Sequence, residues 1–267
     1  MTVALVLAGA ALALLGLHAA FALLTPLPRR ALRVLMYHRV SAAVADRGTV
    51  RLADLDRQLA WLRARYQLVS LGAVVAHLRD GAPLPDRAVL LTFDDGTDDA
   101  LALLAPLLHR HGLPAALFVV PGFAGSARPY DGAVRRFCDA EDLRAVVASG
   151  LELGLHSFEH RDLGALAPEE VAADLRRCAA WLDAARLPWQ PALAYPYGAY
   201  PRKEAARLGP FLAAVRSAGV VAAFRIGNRV NALPLEAPLQ IERTEIRGDE
   251  SFATFAWKVR TGRLRGF

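Results

Sequence analysis

In Leu91-Thr92-Phe93-Asp94-Asp95-Gly96 an apolar run ends in two adjacent carboxylates and a glycine. Neighbouring carboxylates repel each other unless a cation, a shared proton or a strong donor stands between them. Further along, His156-Ser157-Phe158-Glu159-His160 sets two imidazoles four positions apart. A cation near both groups resolves the conflict, because zinc and its neighbours accept imidazole nitrogen and carboxylate oxygen together. Three protein ligands and one open position make a catalytic rather than a structural metal site. Successive side chains on an extended backbone point in different directions, so one aspartate can ligate while the other faces a substrate. The cation acidifies a water, from a pKa of about 16 towards about 7, and the free carboxylate takes its proton. The pattern predicts a metal-dependent hydrolase. Each motif alone has a plainer reading, an Asp-Gly turn or a pair of surface histidines, and it is their joint placement that carries the argument.

Such groups need a scaffold that brings distant segments together. Short β-like runs at residues 34–37, 88–93, 116–120, 151–155, 193–195 and 220–224 alternate with amphipathic helical stretches at 52–66, 98–111, 139–149, 168–185, 203–218 and 251–261. Asp98 and Asp99 suit a helix start, and His109, Arg110, His111 and Gly112 suit its end, so those two histidines read as helix-end chemistry rather than ligands. Strand and helix alternating in this way predict an α/β domain with a mostly parallel sheet, doubly wound or closed into a barrel. In both, the site lies at the carboxyl ends of the strands, which is where Asp94, Asp95 and His156 fall.

Composition narrows the partners. The chain of 267 residues carries a formal charge of +6, yet its basic residues are almost all arginine, Lys203 and Lys258 excepted, with no long basic run and no basic stretch interleaved with aromatics. Nucleic acid is therefore not expected as a partner. Cys138 and Cys178 lack CxxC spacing, which argues against a zinc ribbon; two buried thiols are expected, and a disulfide stays open. Val3 to Leu24 is apolar except for His18. At about 1.5 Å per residue it can cross a bilayer core of about 30 Å. Residues 1–28 are therefore expected to form a single-pass transmembrane anchor, or a signal sequence, with a short linker, and 29–267 the catalytic domain. Arg29, Arg30 and Arg33 favour a cytoplasmic domain by the positive-inside tendency, against the extracytoplasmic placement that the function below calls for.

Thr92-Phe93-Asp94-Asp95-Gly96, His156-Ser157-Phe158-Glu159-His160 and Tyr195-Pro196-Tyr197-Gly198, in that order, resemble the polysaccharide deacetylase domain (NodB homology, carbohydrate esterase family 4) over roughly residues 31–265. The resemblance implies a distorted (β/α) barrel. It implies Asp94 as general base, and Asp95, His156 and His160 as ligands of a divalent metal, usually Zn2+. Pro196 and Tyr197 would line the groove, with the Tyr197 backbone N–H facing the tetrahedral oxyanion. The sequence departs from the family twice: Ala194 stands where an arginine usually orients the base, and no histidine follows His160 to serve as general acid. Leu35-Met36-Tyr37-His38 resembles the opening motif of the poly-N-acetylglucosamine deacetylase branch, where the acid histidine sits on the amino-terminal side. This makes His38 the expected acid, the alternative being a strand-end histidine. Arg243 matches a late arginine of that branch and is expected at the substrate or in a surface salt bridge. Trp189, between Pro188 and Pro191, is the tryptophan placed to stack on a sugar.

The expected activity is removal of N-acetyl groups from amino sugars of a cell-surface polysaccharide or a lipid-linked glycan. An O-acetyl esterase or deformylase acting on a glycolipid, and a carbohydrate-binding pseudoenzyme, are the competing expectations.

Overall fold

The structure, a computed structural model, describes residues 30–262. Seven parallel strands close a barrel in the spatial order β1 (Ala31–Tyr37), β7 (Ile241–Glu245), β6 (Ala222–Ile226), β5 (Trp189–Ala194), β4 (Leu151–Leu155), β3 (Ala115–Val119) and β2 (Ala88–Phe93), which returns to β1. The β1–β2 seam is long, with Leu32 opposite Ala88 through to Tyr37 opposite Phe93. The β1–β7 seam holds only two paired positions, Leu35 with Thr244 and Met36 with Glu245, so the barrel is uneven. Among the described residues, seven α-helices surround or cap it: α1 (Leu52–Arg63), α2 (Leu71–Asp80), α3 (Ala105–His111), α4 (Ala140–Ala148), α5 (Pro168–Ala184), α6 (Ala205–Ser217) and α7 (Phe252–Thr261).

Alternation along the strands splits the core into an inner and an outer layer. Leu32, Val34, Leu90, Phe118, Phe224 and several alanines fill the barrel together with residues of α2, while Leu35, Leu91, Leu117, Leu153 and Leu193 face the outer helices. Two phenylalanines fit inside because their neighbours are small. A Cβ on Gly154 would stand 2.5 Å from the Phe118 ring. Ala194, completely buried, belongs to this inner layer.

Several expectations are revised. Residues 98–111 form two helical types, a π-helical turn at Ala100–Leu104 followed by α3. Pro106 has no N–H to donate, and the hydrogen-bond ladder widens ahead of it. The Asp99 carboxylate does not cap; it accepts the Val40 N–H at 2.6 Å and the Thr97 hydroxyl at 2.6 Å. Ile241–Glu245, unassigned from sequence, is a barrel strand, and Ala127–Tyr130 with Ala133–Arg136 form an antiparallel hairpin. Trp189 begins β5, packs against the outer core and donates to Asp183 at 2.9 Å, at the end of the strand remote from the aspartates. His111 pairs with Asp56 at 2.6 Å, in keeping with a helix-end role. Both cysteines are buried and free.

The expected anchor at residues 3–24 lies outside the described residues, as does Arg29. Among the described residues, no helix is long and apolar enough to cross a membrane. Arg33, counted above as a flanking charge, is buried in β1, donating to the Val259 carbonyl at 2.8 Å, with its guanidinium 5.2 Å from the Tyr66 ring centroid.

Candidate active site

The carboxyl ends of β1, β2, β4 and β5 converge on one cavity of about 420 Å³, lined by His38, Asp94, Asp95, His156, His160, Tyr197 and Arg243 among others. The placement follows from strand register. The Asp94 N–H donates to the Tyr37 carbonyl at 3.1 Å, continuing the β1–β2 ladder by one step and setting His38 beside the aspartates. The His156 N–H likewise extends β4 to the Val119 carbonyl at 3.0 Å. Beyond the strands the backbone turns sharply. Asp95, Ser157, His160 and Tyr197 all have positive φ, between 56° and 81°, a conformation that costs energy for residues with a Cβ and persists where the surroundings enforce it.

Asp95, His156 and His160 come together with one potential ligand atom each, all within 4.8 Å of one another. Nε2 of His156 lies 3.6 Å, and Nε2 of His160 3.5 Å, from Asp95 Oδ1. That oxygen is buried and accepts no hydrogen bond, which leaves it free for a cation. Nδ1 of His156 lies 2.7 Å from the Ala194 carbonyl. A carbonyl only accepts, so this ring carries its proton on Nδ1 and turns the Nε2 lone pair towards Asp95. Nδ1 of His160 meets the Tyr197 hydroxyl at 3.0 Å. Burial, and then the neighbouring His156, lower the His160 pKa to about 4, so its ring is neutral at working pH. A hard or borderline divalent cation fits these donors: one carboxylate oxygen without a partner and two imidazoles whose Nε2 atoms face it.

Asp94 has a different partner. Arg243, from β7, holds it in a two-point grip, Nη1 to Oδ1 at 2.7 Å and Nη2 to Oδ2 at 2.8 Å. Both side chains are almost fully buried, Arg243 at 1% and Asp94 at 2% exposure, so the expected surface ion pair is not what forms. Burial alone would raise the Asp94 carboxyl, but the Arg243 charge, His156 and the Arg243 hydrogen bonds outweigh it and bring the pKa to about 2. Arg243 also reaches the Thr92 hydroxyl at 3.4 Å. Ala194 contributes its carbonyl to His156, and the grip on Asp94 comes from β7, separated from β5 only by β6.

Three contributors were not singled out from sequence. Asp174, on α5, accepts the Ser157 hydroxyl at 3.1 Å and the Phe158 N–H at 3.0 Å, holding the segment between the two histidines. Nothing in its local sequence signals this. Tyr130, on the hairpin, places its hydroxyl 3.2 Å from Nε2 of His160. Burial, and then the charge of Asp95, push this phenol upward. Arg39, next to His38, holds Asp131 at 2.5 Å. Asp131-Gly132, with φ of 49° and 77°, is a two-residue hairpin turn whose Asp-Gly sequence does carry a signal.

A second cavity, of about 590 Å³, shares Tyr197, Gly198 and Ile226 with the first and runs on past Asp162, Tyr200 and Arg202. Tyr197, 67% exposed, stands between the two.

Comparison with known proteins agrees with this construction. Residues 81–210 match the family described as polysaccharide deacetylase. A stretch of 93 residues is 38% identical to the poly-beta-1,6-N-acetyl-D-glucosamine N-deacetylase of Escherichia coli K12, covering 34% of this chain and 14% of that protein. The fold superposes on IcaB from Ammonifex degensii with a TM-score of 0.71 and 26% identity, over 88% of this chain and 100% of that one. It also superposes on the Streptococcus pyogenes deacetylase PplD, determined in complex with acetate, with a TM-score of 0.72 and 20% identity, over 86% and 99% of the two chains. The barrel and the ordered motifs agree with the match of residues 81–210 to the polysaccharide deacetylase family.

Proposed function

We propose that this protein is a metal-dependent N-deacetylase acting on N-acetylated amino sugars of a polysaccharide. The observation that carries the reading is the unpartnered Asp95 Oδ1 between two imidazole Nε2 atoms, beside an aspartate gripped by a buried arginine. Asp95, His156 and His160 would hold the cation, with zinc the expected metal. When bound, it supplies Lewis acidity, polarising an acyl oxygen and acidifying a water.

The chain's own groups divide the remaining work. Asp94, ionised throughout the working range, accepts the proton of the attacking water. A carboxylate held near a pKa of about 2 is a weak base, so its contribution depends on that water being made acidic. Arg243 keeps both carboxylate oxygens in fixed directions, supplying from β7 the orienting arginine missing at position 194. This weakens the pseudoenzyme reading, which rested on that gap. The Tyr197 backbone N–H donates to the oxyanion from the turn after β5. His38, on the cavity wall next to Asp94, protonates the departing nitrogen, an assistance worth about 10² to 10⁴ in rate.

The E. coli relative's name supports poly-N-acetylglucosamine as the substrate class, and the second cavity adjoining the first at Tyr197, Gly198 and Ile226 supports a polymer over a single sugar. Attachment to a membrane through residues 3–24 belongs to the same reading and rests on the apolar run alone, and placement of the domain outside the cytoplasm rests on the substrate class. His38→Ala tests the bond type. A loss of about a hundredfold or more on N-acetyl substrates supports amide hydrolysis; retained activity, with preference for O-acetyl esters, overturns it.

A further inference from the structure

The hairpin residue Tyr130 touches the one atom of His160 that a cation would need. Its hydroxyl lies 3.2 Å from Nε2, while Nδ1 faces the Tyr197 hydroxyl at 3.0 Å. In the tautomer that ligates through Nε2, Nδ1–H donates to Tyr197 and the Nε2 lone pair accepts the Tyr130 O–H. One lone pair cannot serve both a cation and a phenol. Filling the site therefore takes the acceptor away from Tyr130.

The freed hydroxyl has little room to retreat. The Tyr130 ring packs edge-on against Phe123, Phe137 and His160 at centroid distances of 6.0, 5.3 and 5.6 Å. The hairpin is tied down at both ends. Asp131 at its tip pairs with Arg39 at 2.5 Å, and its base is fastened to the Asp94-Asp95-Gly96 loop by the Thr97–Phe137 bridge and by the Asp98 N–H to the Arg136 carbonyl at 3.0 Å. This hydroxyl, half-buried and held in place, still needs an acceptor, and the oxygen that enters this cavity on substrate binding is the acyl oxygen.

Resting on the deacetylase reading above, we infer that Tyr130 is a further catalytic residue: metal loading releases its hydroxyl from His160, and the hydroxyl then donates to the acyl oxygen of the substrate. The proton stays on the phenol throughout. Tyr130 stands on the hairpin side of the cavity and Tyr197 on the β5 side, so the developing oxyanion is approached by donors from two separate elements.

Tyr130→Phe keeps the ring and removes only the oxygen. Calorimetric titration of wild type and variant with zinc, then of the zinc-loaded proteins with acetate, reads the two halves of the inference separately. The variant binds zinc as tightly as wild type or up to about tenfold more tightly, since a competing hydrogen bond is gone, and binds acetate about tenfold more weakly. Weaker zinc binding would make Tyr130 a ligand or a support of Asp95 and overturn the inference; unchanged acetate affinity would also overturn it. Should Tyr130→Phe melt well below wild type, Asp131→Asn, which unties the hairpin tip and leaves the aromatic packing intact, replaces it. Weakened acetate binding with unchanged zinc binding is then expected, and unchanged acetate binding contradicts. Acetate release from N-acetylglucosamine oligomers separates the two ideas. If wild type releases none while both binding shifts appear, the deacetylase reading fails and the donor remains; if wild type hydrolyses and the shifts are absent, the donor alone fails.

Discussion

Asp94 and Asp95 are adjacent in sequence and opposite in circumstance: one is gripped by Arg243 at both oxygens, the other keeps an oxygen bare between two imidazoles. That division is how neighbouring carboxylates coexist at 2% exposure. Arg243→Met leaves Asp94 buried without its partner, and a loss of about 3–5 kcal/mol in urea unfolding is expected, with Asp94→Asn/Arg243→Met recovering part of it. The grip also fixes a pH dependence. An unfolded aspartate titrates near about 3.9. Folded Asp94 titrates at about 2, a depressed value. Its contribution to stability is therefore present above a pH of about 4 and is lost as pH falls towards about 2. Urea midpoints measured down that range should fall less steeply in Asp94→Asn than in wild type; parallel slopes would contradict the assignment. The motifs themselves were legible in sequence through their joint placement at strand ends, each alone having a plainer reading. The role of Arg243 was not. Its segment carried no strand assignment and Arg243 was expected at the substrate or in a surface salt bridge, whereas Arg243 grips Asp94 and Glu242 pairs with Arg225.

The elements explain how a few side chains are held to the required geometry. Strands β2 and β4 follow the sequence reading residue for residue, since both are short, mostly apolar runs ending at polar motifs. The turns after them were not legible: positive φ at Asp95, Ser157, His160 and Tyr197 is imposed by tertiary packing on residues that do not favour it. Asp174 is one source of that constraint. Asp174→Ala releases the Ser157 hydroxyl and the Phe158 N–H, and a fall in zinc affinity of about 10- to 100-fold is expected by calorimetry. Inside the barrel, Gly154→Val drives a Cβ into the Phe118 ring and is expected to cost about 1–3 kcal/mol, measured by denaturant unfolding. The Ala127–Arg136 hairpin escaped notice because its strands carry arginines and a proline in place of an apolar alternation, although Asp131-Gly132 marks its turn.

At the scale of the whole molecule, a barrel packed with Phe118, Phe224 and small side chains leaves its carboxyl end to carry chemistry, while α2 contributes to the core inside. The alternation of strand and helix made the parallel sheet legible; closure was not, because nothing local specifies that β1 meets both β2 and β7. The buried cysteines fit a domain that needs no disulfide among its described residues. Burial pushes the Cys138 thiol up to about 12 and raises Cys178 as well. Native protein at pH 8 is expected to react negligibly with a thiol reagent, and to release two equivalents once unfolded. The central claim concerns the convergence of four strand ends on one hydrolytic centre. Its most direct test is acetate release from N-acetylglucosamine oligomers by zinc-loaded protein, beside Asp94→Asn and a chelated sample. The account predicts release by the loaded protein, with a loss of at least about a hundredfold in the variant and in the chelated sample. Release that survives both treatments, or none from a protein that binds zinc tightly, would contradict it.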